Sequence, residues 1–208
     1  MLEQQVRPSD VLDLHVLAAL NDIKRIEFVD ESFAGLAYAD TELSIGFGQT
    51  MLSPVVEGRL LQVLDLQPNE EVLEIGTGSG YFTALLANLG KHVRTVELIP
   101  ELSELAQQRI KQMGVDNVTF EMGDASHGWP LADRIEVIIS TAAFVSVPES
   151  YKNNLKVGGR MVAVVGEAPF MTIQIIKRVT EWEWQTDVVY ETVIPAMINA
   201  EPTPEFEF

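Results

Sequence analysis

The stretch Val72-Leu73-Glu74-Ile75-Gly76-Thr77-Gly78-Ser79-Gly80-Tyr81 constrains the fold more than any other segment of the chain. A short apolar run reads as a buried strand, and the three glycines that follow read as a turn. From Tyr81 to Leu89 the pattern is helical, and Gly90 stops it. Glycine lets the backbone turn tightly and approach a ligand with no Cβ in the way. In an open α/β sheet, the crevice outside the strand C-termini is where ligands bind.

The rest of the chain repeats this alternation. Val93–Val96 reads as the next strand. Pro100 opens a helix with Leu102, Leu105, Ala106 and Ile110 in one stripe, ended by Gly114. Further strands are expected at Val118–Glu121, Ile135–Ser140 and Arg160–Val165, with Ile173–Val179 and Val188–Val193 as a closing antiparallel pair. The N-terminal part reads as helical. Asp10 is the expected N-cap of a first helix with Val11, Leu12, Val16, Leu17 and Leu20 on its apolar side, Thr41–Leu52 a loop or hairpin, and Pro54 the start of another helix. The fold class is therefore α/β: a doubly wound, mostly parallel Rossmann-like sheet over residues 67–198, within a single domain. A helical, substrate-side extension over residues 1–66 precedes it, and residues 199–208 read as a flexible tail.

Charge excludes some partners. The 208 residues carry 14 Lys+Arg against 31 Asp+Glu, a net charge of −17. Nucleic-acid binding needs clustered cations, and Lys24-Arg25 and Lys177-Arg178 are isolated pairs, so no nucleic-acid partner is expected. With no cysteine, disulfides and a thiol nucleophile are excluded. His15, His92 and His127 lie far apart, and no metal site is expected. No run reaches the ~20 apolar residues of a membrane span. The first residues show no secretory signal pattern, so a cytoplasmic protein is expected.

The turn itself argues for one cofactor class. Its spacing is G-x-G-x-G, not the G-x-G-x-x-G of dinucleotide folds. Glu74 stands just before it, where a carboxylate would oppose a pyrophosphate but attract the ammonium of S-adenosyl-L-methionine. Glu97, ending the next strand ~20 residues further on, is placed for both ribose hydroxyls. Asp124, after the third strand, can accept from an adenine amino group. Each feature also has a structural reading: a glycine-demanding turn, a solvated strand end, an Asp turn.

Together the motifs resemble the protein-L-isoaspartate O-methyltransferase family over nearly the whole chain. They are Glu74-Ile-Gly-Thr-Gly-Ser-Gly80-Tyr81, Gly46-Phe47-Gly48-Gln49-Thr50, Ala37-Tyr38-Ala39-Asp40, Gly123-Asp124, Gly128-Trp129, Thr141-Ala142-Ala143 and Leu155-Lys156-Val157-Gly158-Gly159-Arg160. The resemblance implies S-adenosyl-L-methionine as cofactor, held by Glu74, Gly76, Thr77, Gly78, Ser79, Gly80, Glu97, Leu98, Asp124, Ala125 and Thr141. It implies an isoaspartyl-containing protein or peptide as substrate, held by Gln49, Thr50, Met51 and Leu52. Its activity is methylation of the isoaspartyl α-carboxylate in damaged proteins, by an enzyme expected to be a monomer.

Three segments depart from the pattern. Where the family usually reads aliphatic-Ser-Gln-Pro, this chain reads Met51-Leu52-Ser53-Pro54. Where it usually ends Arg-Phe-Val-Pro-Leu, this chain reads Thr192-Val193-Ile194-Pro195-Ala196-Met197, and Pro8-Ser9-Asp10 stands in place of Arg-Gly-Ile. Thr50 and Ser53 are the expected catalytic residues, orienting the carboxylate; Ser53 also reads as a plain helix N-cap. Phe47, Met51, Leu52 and Val55 would supply a dry pocket, or simply pack the loop onto the domain. The alternatives are a same-fold methyltransferase with another substrate and a protein that binds the cofactor without turnover. A nicotinamide-dependent oxidoreductase is the most distant.

Overall fold

The computed structural model describes residues 1–200. Leu2–Val6 and Arg7–Ser9 form irregular helical turns, followed by α1 (Leu14–Asp22) and two short 3-10 turns, Arg25–Phe28 and Glu31–Leu36. A hairpin of β1 (Leu43–Gly46) and β2 (Gln49–Met51) leads into α2 (Pro54–Leu64). Then come β3 (Glu71–Ile75), α3 (Tyr81–Leu89), β4 (His92–Glu97), α4 (Pro100–Gln112), β5 (Val118–Met122) and β6 (Ile135–Ser140). The chain continues through α5 (Glu149–Asn154), β7 (Leu155–Glu167), β8 (Phe170–Arg178) and β9 (Trp184–Glu191).

The seven-stranded sheet has the order β5-β4-β3-β6-β7-β8-β9. Its first five members pair in parallel, while β8 runs antiparallel to both β7 and β9. The order reverses between β3 and β6, and the glycine turn leaves the sheet at that point, where doubly wound folds bind ligands.

Alternation along the strands sorts the core into two layers. Val72, Val137, Ile139 and Val162 pack with Leu17, Leu60 and Leu85 of α1, α2 and α3. Leu73, Ile75, Ile138 and Met161 face the opposite way, onto Phe144 and Tyr151 of the α5 side. The N-terminal extension belongs to the first layer. Val6 and Val11 are fully buried, and they approach Gly58 of α2 so closely that a Cβ there would sit 3.2 Å from each. Arg160 ties the end of α2 to the sheet, donating to the Leu64 and Asp65 carbonyls and the Glu70 carboxylate.

Several expectations are corrected. The N-cap of α1 is Asp13, whose carboxylate accepts from the His15 and Val16 N–H groups, whereas Asp10 lies three residues upstream in a left-handed turn. Leu12, expected on the apolar side of that helix, is exposed. The fifth parallel strand runs from Leu155, well before the expected Arg160, because its first half pairs only loosely past a bulge near Ile135. The last strand begins at Trp184 rather than Val188: it is an edge strand, half exposed, without the apolar run of a central one. The short helix α5 carried no clear apolar stripe and was not anticipated. Asn199 and Ala200, expected in the tail, are described residues; the rest of that tail, 201–208, lies outside them.

Candidate active site

The glycine turn is shaped by its neighbours. All three glycines have positive φ, at 96°, 53° and 85°. A Cβ on Gly76 would sit 2.5 Å from Thr141 Oγ1, and one on Gly80 would meet the Cβ of Ala106 in α4 at 3.0 Å. Gly80 therefore serves helix packing, while Gly76 lets Thr141 donate to the Gly76 carbonyl at 2.6 Å.

Glu97, at the end of β4, braces the same turn. Its Oε2 accepts from Gly78 N at 2.8 Å; its Oε1 accepts from Leu98 N at 2.9 Å and Ile99 N at 3.0 Å. A carboxylate offers about four lone-pair sites. Three are taken, so in this rotamer Glu97 has room for one ribose hydroxyl rather than two.

A crevice open to solvent lies beside these residues. Of the sequence-predicted residues, Gln49, Thr50, Gly76, Gly78, Glu97, Leu98, Asp124, Ala125 and Thr141 lie on its wall. The hairpin β1–β2 thus shares the crevice wall with the end of β4 and the entry to α4. Asp124 is exposed; its carboxyl is held below the usual range by the neighbouring Ser126 side chain and by the Ser126 N–H, which donates to its Oδ1 at 2.9 Å. Its other oxygen accepts from Asn199 Nδ2 at 2.8 Å.

Other predicted residues are placed elsewhere. Glu74 is fully buried and absent from the crevice wall. Its Oε2 accepts from Thr83 of α3 at 2.6 Å, its Oε1 has no partner among the described residues, and burial pushes its pKa up to about 8. Its position thus differs from the expected one facing an ammonium. Thr77 turns inward and shares a hydrogen bond with Thr95 at 2.6 Å; Ser79 accepts from Tyr81 N at 3.2 Å. Ser53 holds the N-cap position of α2 but makes no side-chain bond there. Asp40 caps instead, accepting from Val55 N at 3.1 Å. Ser53 does not reach the crevice wall. Met51, Leu52 and Val55 are buried, while Phe47 is exposed at the hairpin tip with φ of 55°.

Some wall and supporting residues were not anticipated. Pro195, Met197 and Ile198 line the crevice, because Ala143 N donates to the Pro195 carbonyl and Met197 N to the Ala143 carbonyl. Arg25, one of the isolated basic pairs, is fully buried and donates to Glu57 and to the Leu52 carbonyl. The signal for Arg25 was its place beside the apolar Ile23, Ile26 and Phe28, which a charge count alone ignores.

A family model described as protein-L-isoaspartate(D-aspartate) O-methyltransferase matches residues 1–198. The chain belongs to this family. Among curated relatives, a protein-L-isoaspartate O-methyltransferase of Magnetococcus marinus is 44% identical over 85% of this chain and 78% of its own length. One from Protochlamydia amoebophila is 41% identical over 86% and 84%. In fold the chain is similar to a Plasmodium falciparum structure described as a protein-L-isoaspartate O-methyltransferase in complex with S-adenosyl-L-homocysteine. That match has a TM-score of 0.79 at 18% identity, covering 93% of this chain and 95% of the other. No helix among the described residues is long and apolar enough to cross a membrane.

Proposed function

We propose that this chain transfers a methyl group from S-adenosyl-L-methionine to a carboxylate, the α-carboxyl of L-isoaspartyl residues in damaged proteins. The observation that carries the reading is one of placement. Gln49 and Thr50 of the hairpin share a crevice with the glycine turn and with Glu97, in a chain of this family.

The residues present suit the cofactor. Glu97 has an acceptor for a ribose hydroxyl, Leu98 and Ala125 offer apolar surface to a purine, and Asp124 is an acceptor for its amino group. When bound, the cofactor supplies a methyl group on a sulfonium. The acceptor carboxylate, with a pKa of ~4, is ionised at neutral pH and needs no base. The chain's work is to orient and to exclude water. Thr50 Oγ1 now donates to Glu42 at 3.1 Å, and a substrate carboxylate would compete with Glu42 for that hydrogen. Gln49 supplies an amide beside it, while buried Met51 and Leu52 back the hairpin with apolar surface. Ser53 has no part in this scheme. The reading further makes the protein a cytoplasmic monomer whose macromolecular partner is its protein substrate.

Leu52, where the family usually has serine, favours a second reading: the same chemistry on another acceptor. Labelled methyl transfer to an isoaspartyl peptide, beside its normal aspartyl twin, separates them. The first reading expects label in the isoaspartyl peptide alone. Tight cofactor binding without label in either peptide would favour the second.

A further inference from the structure

A smaller recess adjoins the crevice at the glycine turn. Thr50, Gly76, Gly78 and Thr141 belong to both walls, and Leu52 and Glu57 belong to the recess alone. Glu57 lies in the first turn of α2 and is 1% exposed. Among the described residues its carboxylate accepts only from Arg25, on Oε2, leaving Oε1 without a donor.

Arg25 fixes that carboxylate. One guanidinium nitrogen donates to Glu57, and another to the Leu52 carbonyl at 2.6 Å. Its guanidinium carbon lies 5.2 Å from the centroid of the Tyr81 ring, which packs on Phe28. Oε1 takes no donor from the described residues, yet it is not sealed off, so it can accept from a group that enters the recess. Leu52 brings no hydroxyl to the recess, and Glu57 is the one charged side chain among the described residues that line it.

The cofactor reading fixes the sense of the crevice. Glu97, Leu98 and Asp124 mark the nucleoside end, and the path from there past Gly76 and Gly78 leads into the recess. The group that arrives is the amino-acid end of the cofactor, whose ammonium carries three donors. Glu74, the acid next to the glycine turn in sequence, is off both walls. We propose that Glu57, positioned by Arg25, is the anionic contact for the ammonium of the amino-acid end of S-adenosyl-L-methionine.

This inference rests on the cofactor reading above, and calorimetry on the intact protein separates the two. The ligands are S-adenosyl-L-homocysteine, its analogue lacking the α-ammonium, and 5′-methylthioadenosine, which lacks the whole amino-acid end. Glu57→Gln should weaken S-adenosyl-L-homocysteine at least about tenfold and leave 5′-methylthioadenosine within about twofold, as expected for a direct pairwise interaction. The penalty for removing the ammonium from the ligand should be present in the wild-type chain and vanish in the variant. Glu57→Gln leaves Arg25 buried without its counter-charge, which can unfold a protein. The paired change Arg25→Met with Glu57→Met removes both charges and carries the same expectation. Unchanged S-adenosyl-L-homocysteine affinity in a folded variant, or an equal loss for 5′-methylthioadenosine, overturns the role of Glu57 alone. A wild-type chain that binds none of the three ligands overturns the cofactor reading, and this inference with it.

Discussion

Glu97 accepts a hydrogen bond from the backbone N–H of Gly78 at 2.8 Å, so the acid ending one strand holds the turn that leaves its neighbour. Both groups line the crevice, and Glu97 also satisfies two N–H groups at the entry to α4. Glu97→Ala should therefore cost stability and binding together. Orphaning these partly buried donors costs on the order of 1 kcal/mol, and S-adenosyl-L-homocysteine affinity should fall at least about tenfold. Denaturant melts and calorimetry on one preparation check both.

Gly76→Ala tests the shape of the turn. Its φ of 96° and the 2.5 Å approach to Thr141 Oγ1 leave no room for a methyl group. The strained backbone alone costs about 1–3 kcal/mol, and displacing Thr141 adds to it. A melting temperature within a degree of the wild-type value would contradict this placement.

Two hairpin substitutions should behave oppositely. Thr50→Val removes a hydroxyl on the crevice wall, and kcat/KM for the isoaspartyl peptide should drop at least about tenfold with cofactor affinity retained. Ser53→Ala removes a hydroxyl that makes no capping bond and lies off the wall, so kinetics should stay within about twofold. Steady-state rates for both variants decide between this scheme and one that uses Ser53.

Burial holds Glu74 at a pKa of about 8, well above the 4.5 of the free side chain. The folded state then binds one more proton than the unfolded state between those values. Stability is present in full below pH ~4.5 and is lost as pH rises toward 8, with a slope approaching about 1.4 kcal/mol per unit. Glu57, raised to about 7 by burial against the opposing pull of Arg25, adds to the same fall. Glu74→Gln should flatten the decline between pH 5 and 8, read from urea midpoints at each pH. A decline as steep as the wild-type one would show that Glu74 ionises freely in the native protein.

Legibility in the sequence followed the range of the interactions involved. The core strands and α2, α3 and α4 were readable, because apolar runs, Pro54, Pro100 and Gly90 act within a few residues. The N-cap of α1 was misjudged by three residues because Asp10 and Asp13 are both good caps, and the packing of Val6 and Val11 on Gly58 decides between them. At the site, Glu97 and Asp124 could be placed from strand ends. Arg25, Glu57 and Asn199 could not, since each meets its partner across 27 to 75 residues of chain. Glu74 shows the converse error. Its sequence position beside the glycines suggested a ligand contact, yet the pleat of β3 turns it toward Thr83.

The most direct test is the chemical nature of the methylated product. A methyl group placed on an isoaspartyl carboxylate is an ester, and mild alkali releases it as methanol. The account predicts that label from S-adenosyl-L-methionine enters the isoaspartyl peptide, spares the aspartyl twin and leaves quantitatively as volatile methanol at alkaline pH. Label that resists alkali, or that enters both peptides equally, would contradict it.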